Sequence, residues 1–306
     1  MARNDNYMKI SKYYWFVVAS GTISGLIVFG GQVLARLGFS LYQISTLPYL
    51  AGIIILTGYI LVKKIFPEKK LIPMLILYGF IETGIIFCQF AAPILGASIA
   101  VTVLLLYIQP LWTTIITVLL LKEKIYKKDI IACGLVVAGV LFLINPFDLK
   151  NTTLIGFIVA LLGGIFLAGW ITAGSYISKG GNRPVITMYY GNLIALALLA
   201  ISYPIAKLFT GNLSLVGYSW EKSLIAWIAI ITFGIVTYLV NHYCYLKGTQ
   251  KVPTVSAGII MLIEPIVGAV LASIFLQQPI TTGIIIGGAL ILWANYLTIR
   301  QETMVI

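Results

Sequence analysis

The chain has 306 residues, of which 60% are hydrophobic and 9% are charged, and its mean hydropathy is +1.03. That composition leaves too little polar surface to cover a soluble globule of this length, so no water-soluble domain is expected. The net charge of +11 could indicate a nucleic-acid ligand, but nearly every charge lies in short links between long apolar stretches. The charges are therefore interpreted as orientation signals, and no nucleic-acid partner is expected.

Ten apolar stretches follow one another along the chain, and about 20 apolar residues suffice for a helix that crosses a bilayer. They run from Tyr13 to Ala35, Leu41 to Val62, Leu71 to Pro93, Leu95 to Leu121, Ile130 to Pro146, Leu154 to Ile177, Val185 to Ala206, Leu224 to Leu246, Val252 to Leu276 and Ile280 to Ile299. We therefore predict an all-α membrane protein with ten transmembrane helices embedded in the lipid bilayer.

The lysines and arginines are divided unequally between the two sides that alternating links would face. If the N-terminus is cytoplasmic, the inner segments carry sixteen of the 20: Arg3, Lys9, Lys12, Lys63, Lys64, Lys69, Lys70, Lys122, Lys124, Lys127, Lys128, Lys179, Arg183, Lys247, Lys251 and Arg300. The outer links carry Arg36, Lys150, Lys207 and Lys222. The positive-inside rule then predicts a multi-pass protein of the cytoplasmic membrane with both termini in the cytoplasm.

A weak internal repeat relates the two halves at an offset of 155 residues. It pairs Gly79 with Gly234, Pro110 with Pro265, and Lys122-Glu123-Lys124 with Gln277-Gln278-Pro279. The unit contains five helices, and because five is odd the second copy enters the membrane from the opposite side. We therefore predict two inverted five-helix repeats, residues 1–147 and 148–306, which is how many secondary transporters are built.

Two segments resemble the paired EamA domains of the drug/metabolite transporter superfamily. One runs from Ala97 to Leu143 and contains LLYIQP, LLLKEK and GLVVAG; the other runs from Val255 to Leu297 and contains MLIEP, FLQQP and IIGGALIL. The resemblance implies a metabolite exporter whose cavity is lined by the first four helices of each half, with the fifth and tenth helices as a brace. The chain departs from the pattern in LPYLAG of the second helix, where many relatives carry an arginine, and at Gln278, where an acid is common.

Small residues on the fifth and tenth helices support the bracing role independently of the resemblance. Gly134 and Ala138 lie one turn apart on the fifth helix, as do Gly283 and Gly287 on the tenth. Small residues at this spacing allow two membrane helices to approach closely. We expect these four residues to lie in a helix–helix contact.

Glu82 and Glu264 are the two of nine acidic residues that lie inside predicted helices. Each lies about 11 residues from the cytoplasmic start of its helix, roughly 16 Å at 1.5 Å per residue, which is near the bilayer midplane. An intramembrane acid usually faces protein or water and marks a substrate or ion pathway, although a structural hydrogen bond is the alternative. Both are candidate residues for substrate binding and for coupling.

A polar residue immediately precedes a proline in both halves, as Gln109–Pro110 and Glu264–Pro265. Each proline lacks the N–H that would bond to the carbonyl four residues earlier, which is Met261 in the second half, so the helix is expected to bend there. Broken helices often supply transporter sites, but prolines also form plain kinks. Pro110 and Pro265 are candidate hinges.

Further candidates lie close in sequence to these acids or on neighbouring helices. His242, the sole histidine, could couple transport to a proton, or it could be a satisfied histidine near the membrane surface. The candidate substrate-binding residues beside the acids are Tyr78, Tyr107, Gln109, Trp170, Tyr238 and Asn241. An acid among aromatic rings suits an amine through charge pairing and cation–π attraction. Asn241 could line a vestibule or cross-link helices.

These patterns predict a secondary transporter for a small polar or amphiphilic metabolite, such as an amino acid or an amine, working by alternating access. Cys88, Cys133 and Cys244 are isolated and one histidine cannot form a zinc site, so neither a metal nor another cofactor is expected. The chain offers no catalytic motif, and we do not expect an enzyme. A passive channel and a lipid-translocating protein stay open as alternatives.

Overall fold

The computed structural model describes residues 2–143, 152–277 and 279–302, and within these ranges the secondary structure is helical. The ten membrane segments are α1 Ala2–Arg36, α2 Leu41–Lys63, α3 Ile72–Ile94, α4 Ile99–Tyr107 with Gln109–Ile116 and the π-helical turn Thr117–Leu121, α5 Lys127–Leu143, α6 Leu154–Lys179, α7 Pro184–Phe209, α8 Leu224–Gly234 with the π-helical turn Ile235–Val240 and Asn241–Gly248, α9 Thr254–Ile260 with Ile263–Leu276, and α10 Thr282–Glu302.

Every predicted apolar stretch corresponds to one of these segments. Among the described residues, nine are long and apolar enough to cross a membrane. The tenth, α5, has 17 residues, and the end of its predicted stretch at Pro146 lies outside the described ranges. The all-helical membrane fold expected from the sequence is therefore confirmed.

The five even-numbered helices share one kind of beginning. Each follows a serine or threonine whose hydroxyl accepts the backbone N–H three residues later, which satisfies one of the first free donors of the helix. These N-cap residues are Ser40, Ser98, Thr153, Ser223 and Thr281. A hydroxyl at each of these links fixes where the chain re-enters the membrane.

The inverted repeat is visible in the local geometry. Lys122 and Gln277, which the offset of 155 residues equates, both have a left-handed backbone, with φ of 53° and 55°. Gly79 and Gly234 also make equivalent close contacts. A methyl group on Gly79 would lie 2.8 Å from the carbonyl oxygen of Gly191 on α7, and one on Gly234 would lie 2.9 Å from that of Pro48 on α2.

The helices form two four-helix bundles, and each bundle mixes both halves of the chain. In the first bundle α3 packs on α6 and α7, and α4 packs on α6; in the second bundle α8 packs on α1 and α2, and α9 packs on α1. If each helix is replaced by its equivalent in the other half, α3–α6 becomes α8–α1, α3–α7 becomes α8–α2, and α4–α6 becomes α9–α1. The second half is therefore an inverted copy of the first in packing as well as in sequence.

The fifth and tenth helices pack against each other, as the small residues predict, but Gly134 does not take part. No atom lies within 4 Å of where its side chain would be. Gly139 makes the contact instead, with a Cβ position 2.8 Å from the carbonyl oxygen of Gly287. The Cβ position of Gly283 lies directly against the carbonyl oxygen of Phe142. The small-residue pattern predicted the contact correctly, but Gly134 lies away from it.

Candidate functional site

The Glu82 carboxylate lies at the interface between the two bundles. Glu82 belongs to α3, and its side chain is contacted from the other bundle by residues of α2 and α8. The Tyr49 hydroxyl donates to Oε1 of Glu82 at 2.8 Å, and Nε2 of His242 lies 3.6 Å from the same oxygen. Glu82 is only 4% exposed. The predicted candidates Glu82 and His242 are thus brought together.

Aromatic rings enclose this carboxylate and its histidine. Tyr49 packs on Tyr238 with ring centroids 4.1 Å apart, and Tyr238 lies 5.7 Å from the His242 ring. Trp170 of α6 lies 5.3 Å from the His242 ring and 5.7 Å from Tyr78. Three further predicted site residues, Tyr78, Trp170 and Tyr238, therefore line the same cluster. We call Tyr49, Tyr78, Glu82, Trp170, Tyr238 and His242 the Glu82 cluster.

Several polar atoms in and beside the cluster are buried without a hydrogen-bond partner. They include Oε2 of Glu82 and Nδ1 of His242, and both amide atoms of Asn192 on α7. The neighbouring Gly191 brings the α7 backbone against Tyr78 and close to Oε2 of Glu82. Buried polar groups are normally paired, so unpaired ones at one place indicate a site for a ligand, an ion or water.

Two members of this region were absent from the sequence prediction. Tyr49 lies in LPYLAG, which drew notice only for its missing arginine. Asn192 lies on α7, in a stretch that contains no acid to attract attention. The π-helical turn of α8, which contains Tyr238, likewise has no sequence signal, although such turns are frequent at functional sites.

The second acid, Glu264, lies on α9 and faces α4. The Tyr107 hydroxyl donates to Oε1 of Glu264 at 3.1 Å, which joins two more of the predicted candidates across the bundle interface. Gln109 makes a parallel contact: its Nε2 donates to the carbonyl of Gly258 at 2.8 Å, and its Oε1 accepts from Thr113 at 2.7 Å. Both polar positions that precede a proline therefore link α4 to α9.

Both proline helices are broken, but not with the hydrogen bonding expected from the sequence. α4 is interrupted at Ile108 and α9 between Ile260 and Ile263. The carbonyl of Met261, which the missing proline N–H was expected to leave free, accepts the Glu264 N–H at 3.0 Å. This hydrogen bond between residues three apart makes the backbone tighter at the break. The carbonyl that accepts a side-chain donor is that of Gly258, which bonds to the Gln109 amide.

Asn241 lies one residue from His242, but its amide is occupied elsewhere. Its Oδ1 accepts from Ser20 at 2.5 Å and its Nδ2 donates to Ser24 at 3.0 Å. Both serines belong to α1, so this side chain ties α8 to α1 within one bundle. The geometry supports the cross-linking interpretation of Asn241 over the vestibule.

A family model described as the EamA-like transporter family matches residues 11–145 and 154–300. The two matches cover nearly the whole chain, one in each half. The chain belongs to the EamA-like transporter family. This EamA-like transporter is a multi-pass membrane protein with duplicated halves, and its family consists of transporters, not enzymes.

Relatives of this EamA-like transporter carry the same general description. An uncharacterized transporter of Clostridium kluyveri is 25% identical over 293 residues, which cover 91% of this chain and 90% of the relative. An uncharacterized transporter of Archaeoglobus fulgidus is 24% identical over 226 residues, or 74% of each chain. A solved crystal structure superposes with a TM-score of 0.76 at 14% identity, covering 94% of this chain and 98% of the other. That structural likeness shows the fold alone.

Proposed function

We propose that this EamA-like transporter is a secondary carrier that exports a small polar or amphiphilic metabolite, with an amino acid or an amine as the substrate class. Residues 1–147 and 148–306 are its two repeats, and alternating access is a rearrangement between the two bundles. The Glu82 cluster and the Tyr107–Glu264 pair both lie on the surface where the bundles meet. Substrate bound there would touch both moving parts.

The buried Glu82 carboxylate is the observation that carries this proposal. Its Oε1 has partners, but its Oε2 has none, and it lies at membrane depth where a bare charge is costly. The ten apolar stretches contain no lysine or arginine that could neutralise it. A positive charge must therefore come from His242, a proton or a bound cation, and an ammonium group would also gain cation–π attraction of about 0.5–2 kcal/mol from the rings.

Substrate binding in this proposal involves residues on both sides of the bundle interface. They are Tyr78, Glu82, Tyr107, Gln109, Trp170, Tyr238 and Glu264, with Pro110 and Pro265 as hinges. Asn241, the remaining candidate, is assigned instead to the contact between α8 and α1, because both of its amide atoms bond to serines of α1. Coupling to a proton is assigned to Glu82, Glu264 and His242. His242 is 6% exposed and contacts Glu82, which favours coupling over the alternative of a histidine at the membrane surface.

The proposal includes an orientation with both termini in the cytoplasm, which the charge bias supports. Cysteines introduced at Lys251, which is exposed, and at Lys222, which is half-buried, test this orientation, because the two positions belong to opposite sets of links. The native cysteines are buried, so they give little background. In intact cells an impermeant maleimide should label position 222 and not position 251; the reverse pattern would refute the orientation.

Purified protein in liposomes tests the function. A thermal-shift screen of amino acids, amines and other metabolites comes first, because a ligand stabilises the state it binds. The best ligand is then loaded inside liposomes, and uptake of labelled ligand is followed. Saturable counterflow that falls about tenfold or more in Glu82→Gln supports a carrier. Non-saturable flux without counterflow indicates a channel, and movement of headgroup-labelled lipid indicates lipid translocation.

A further inference from the structure

A charged contact closes the bundle interface at the end of α4. Oε1 of Glu123, in the link after α4, accepts from Nζ of Lys179 at 2.6 Å and from the hydroxyl of Thr254 at 3.0 Å. Nζ of Lys179 also donates to that hydroxyl at 3.0 Å, and Ser175 lies 2.9 Å from it. We call Glu123, Lys179 and Thr254 the polar clamp.

The clamp joins one bundle to the other. Glu123 lies just after α4, and Lys179 is the last residue of α6; both helices belong to one bundle. Thr254 is the first residue of α9, in the other bundle. Pro253 precedes Thr254 and supplies no capping side chain, so Oε2 of Glu123 accepts the Thr254 N–H at 3.3 Å. Separation of α9 from α4 and α6 at this end would break each of these contacts with Thr254.

Partial burial strengthens the contact. The side chains of Glu123 and Lys179 are 26% and 29% exposed, and Thr254 is fully buried. The Glu68–Lys70 pair in another link is 67% and 78% exposed, and fully exposed pairs of this kind stabilise little. Of these two pairs, only the clamp contacts a residue of the opposite bundle.

The repeat does not reproduce the clamp at the opposite end of the molecule. The offset of 155 residues takes Glu123 to Gln278, which is uncharged, and Thr254 to Ile99, which has no hydroxyl. The first two helices of each half are related by a different offset, 143 residues. This offset equates Gly38 with Gly181, and both have a positive φ. It also equates Arg36 with Lys179. A cation is thus retained without its acid or its hydroxyl.

We propose that the polar clamp is the cytoplasmic gate of the carrier. It holds the cytoplasmic end of the α4–α9 interface closed, and its contacts break when the carrier opens toward the cytoplasm. The inference rests on the proposed alternating access and on the proposed orientation. Because the equivalent positions retain the cation without the acid or the hydroxyl, the two closed ends differ in strength. Loss of the clamp shifts the protein toward the inward-open state.

The test measures how fast a buried reporter cysteine reacts with an impermeant maleimide in inside-out vesicles. The reporter is Ala257→Cys, one turn beyond Thr254 on α9 and fully buried, in a background where Cys88, Cys133 and Cys244 are replaced by alanine. Glu123→Gln, Lys179→Gln and Thr254→Val should each accelerate labelling about fivefold or more, a typical size for coupling between two states. Glu68→Gln is the matched control and should leave the rate unchanged.

Charge reversal separates a gate from a merely structural contact. Glu123→Lys combined with Lys179→Glu should return labelling part of the way to the wild-type rate. The pair again offers a donor and an acceptor to the Thr254 hydroxyl, but a lysine at position 123 cannot accept the Thr254 N–H. Equal labelling in wild type and all three single variants, or no recovery in the reversed pair, overturns the proposal. If Glu123→Gln or Lys179→Gln does not fold, Thr254→Val and the reversed pair decide. Labelling needs no substrate, so counterflow measured in parallel shows separately whether the proposed function fails.

Discussion

Glu82 and Glu264 are both intramembrane acids at the bundle interface, yet their surroundings differ. Glu82 is enclosed by aromatic rings and contacted by Tyr49 and His242, and one of its oxygens is buried without a partner. Glu264 is less buried and accepts from Tyr107. Their similar depth in the sequence does not separate them, whereas in the structure Glu82 is the more buried of the two and has the oxygen without a partner.

The repeat sharpens this difference. The position equivalent to Glu82 is Thr237, whose hydroxyl bonds to the carbonyl of Phe233 in its own helix, and the position equivalent to Glu264 is Gln109. Each acid is therefore matched by a neutral residue in the other half. The framework is symmetric, but its charges are not, so function is expected to depend unequally on the two halves.

The largest effect is expected for Glu82→Gln. The amide keeps the shape of the side chain but loses the charge, and a hydrogen bond to a charged group contributes about 1.5–3 kcal/mol, so transport should fall about tenfold or more. The residual transport should also depend less on pH. Counterflow at several pH values measures both. Wild-type rate and affinity at every pH would remove Glu82 from the mechanism.

A smaller effect is expected for Glu264→Gln, which provides the direct comparison. The amide oxygen can still accept from the Tyr107 hydroxyl, so transport should fall by less than about threefold, the change that a fraction of one kcal/mol produces. Parallel counterflow with both variants checks the ranking. If Glu264→Gln is the more damaging substitution, the comparison based on enclosure is wrong.

The proline substitutions test the symmetry of the framework. Pro110→Ala and Pro265→Ala each restore a backbone N–H beside a helix break, and because the halves are inverted they should bias access toward opposite sides. Reporter cysteines in the two vestibules would record the bias, with rates expected to change by a few fold. Identical labelling of both variants and the wild type, with unchanged turnover, would show that these prolines are only kinks.

The smallest effect on transport is expected for Asn241→Ala. This change removes the two hydrogen bonds to Ser20 and Ser24, each of which typically contributes about 0.5–1.5 kcal/mol, so the melting temperature should fall. Transport per folded molecule should stay near the wild-type value. A large loss of transport at unchanged thermal stability would instead place Asn241 in the substrate pathway.

The sequence predicted the frame well because its signals are strong and local. Long apolar runs bounded by lysines define membrane helices, and the shared Gly79–Gly234 and Pro110–Pro265 spacing defines the repeat. It predicted the site less completely, because a side chain's partners depend on how helices rotate and pack. Tyr49 reaches Glu82 only through the packing of α2 against the opposite bundle, and nothing in Ile235–Val240 marks it as a π-helical turn.

The mixing of the two halves within each bundle also constrains how the chain is assembled. α1 and α2 leave the ribosome long before their partner α8, by roughly 10–40 s at a synthesis rate of about 5–20 residues per second. During that interval the surfaces of α1 and α2 that will contact α8 are not yet covered by it. Neither half contains all four helices of a bundle. Both bundles are therefore completed only after helices of the second half have been synthesised, and the two halves do not fold as independent units.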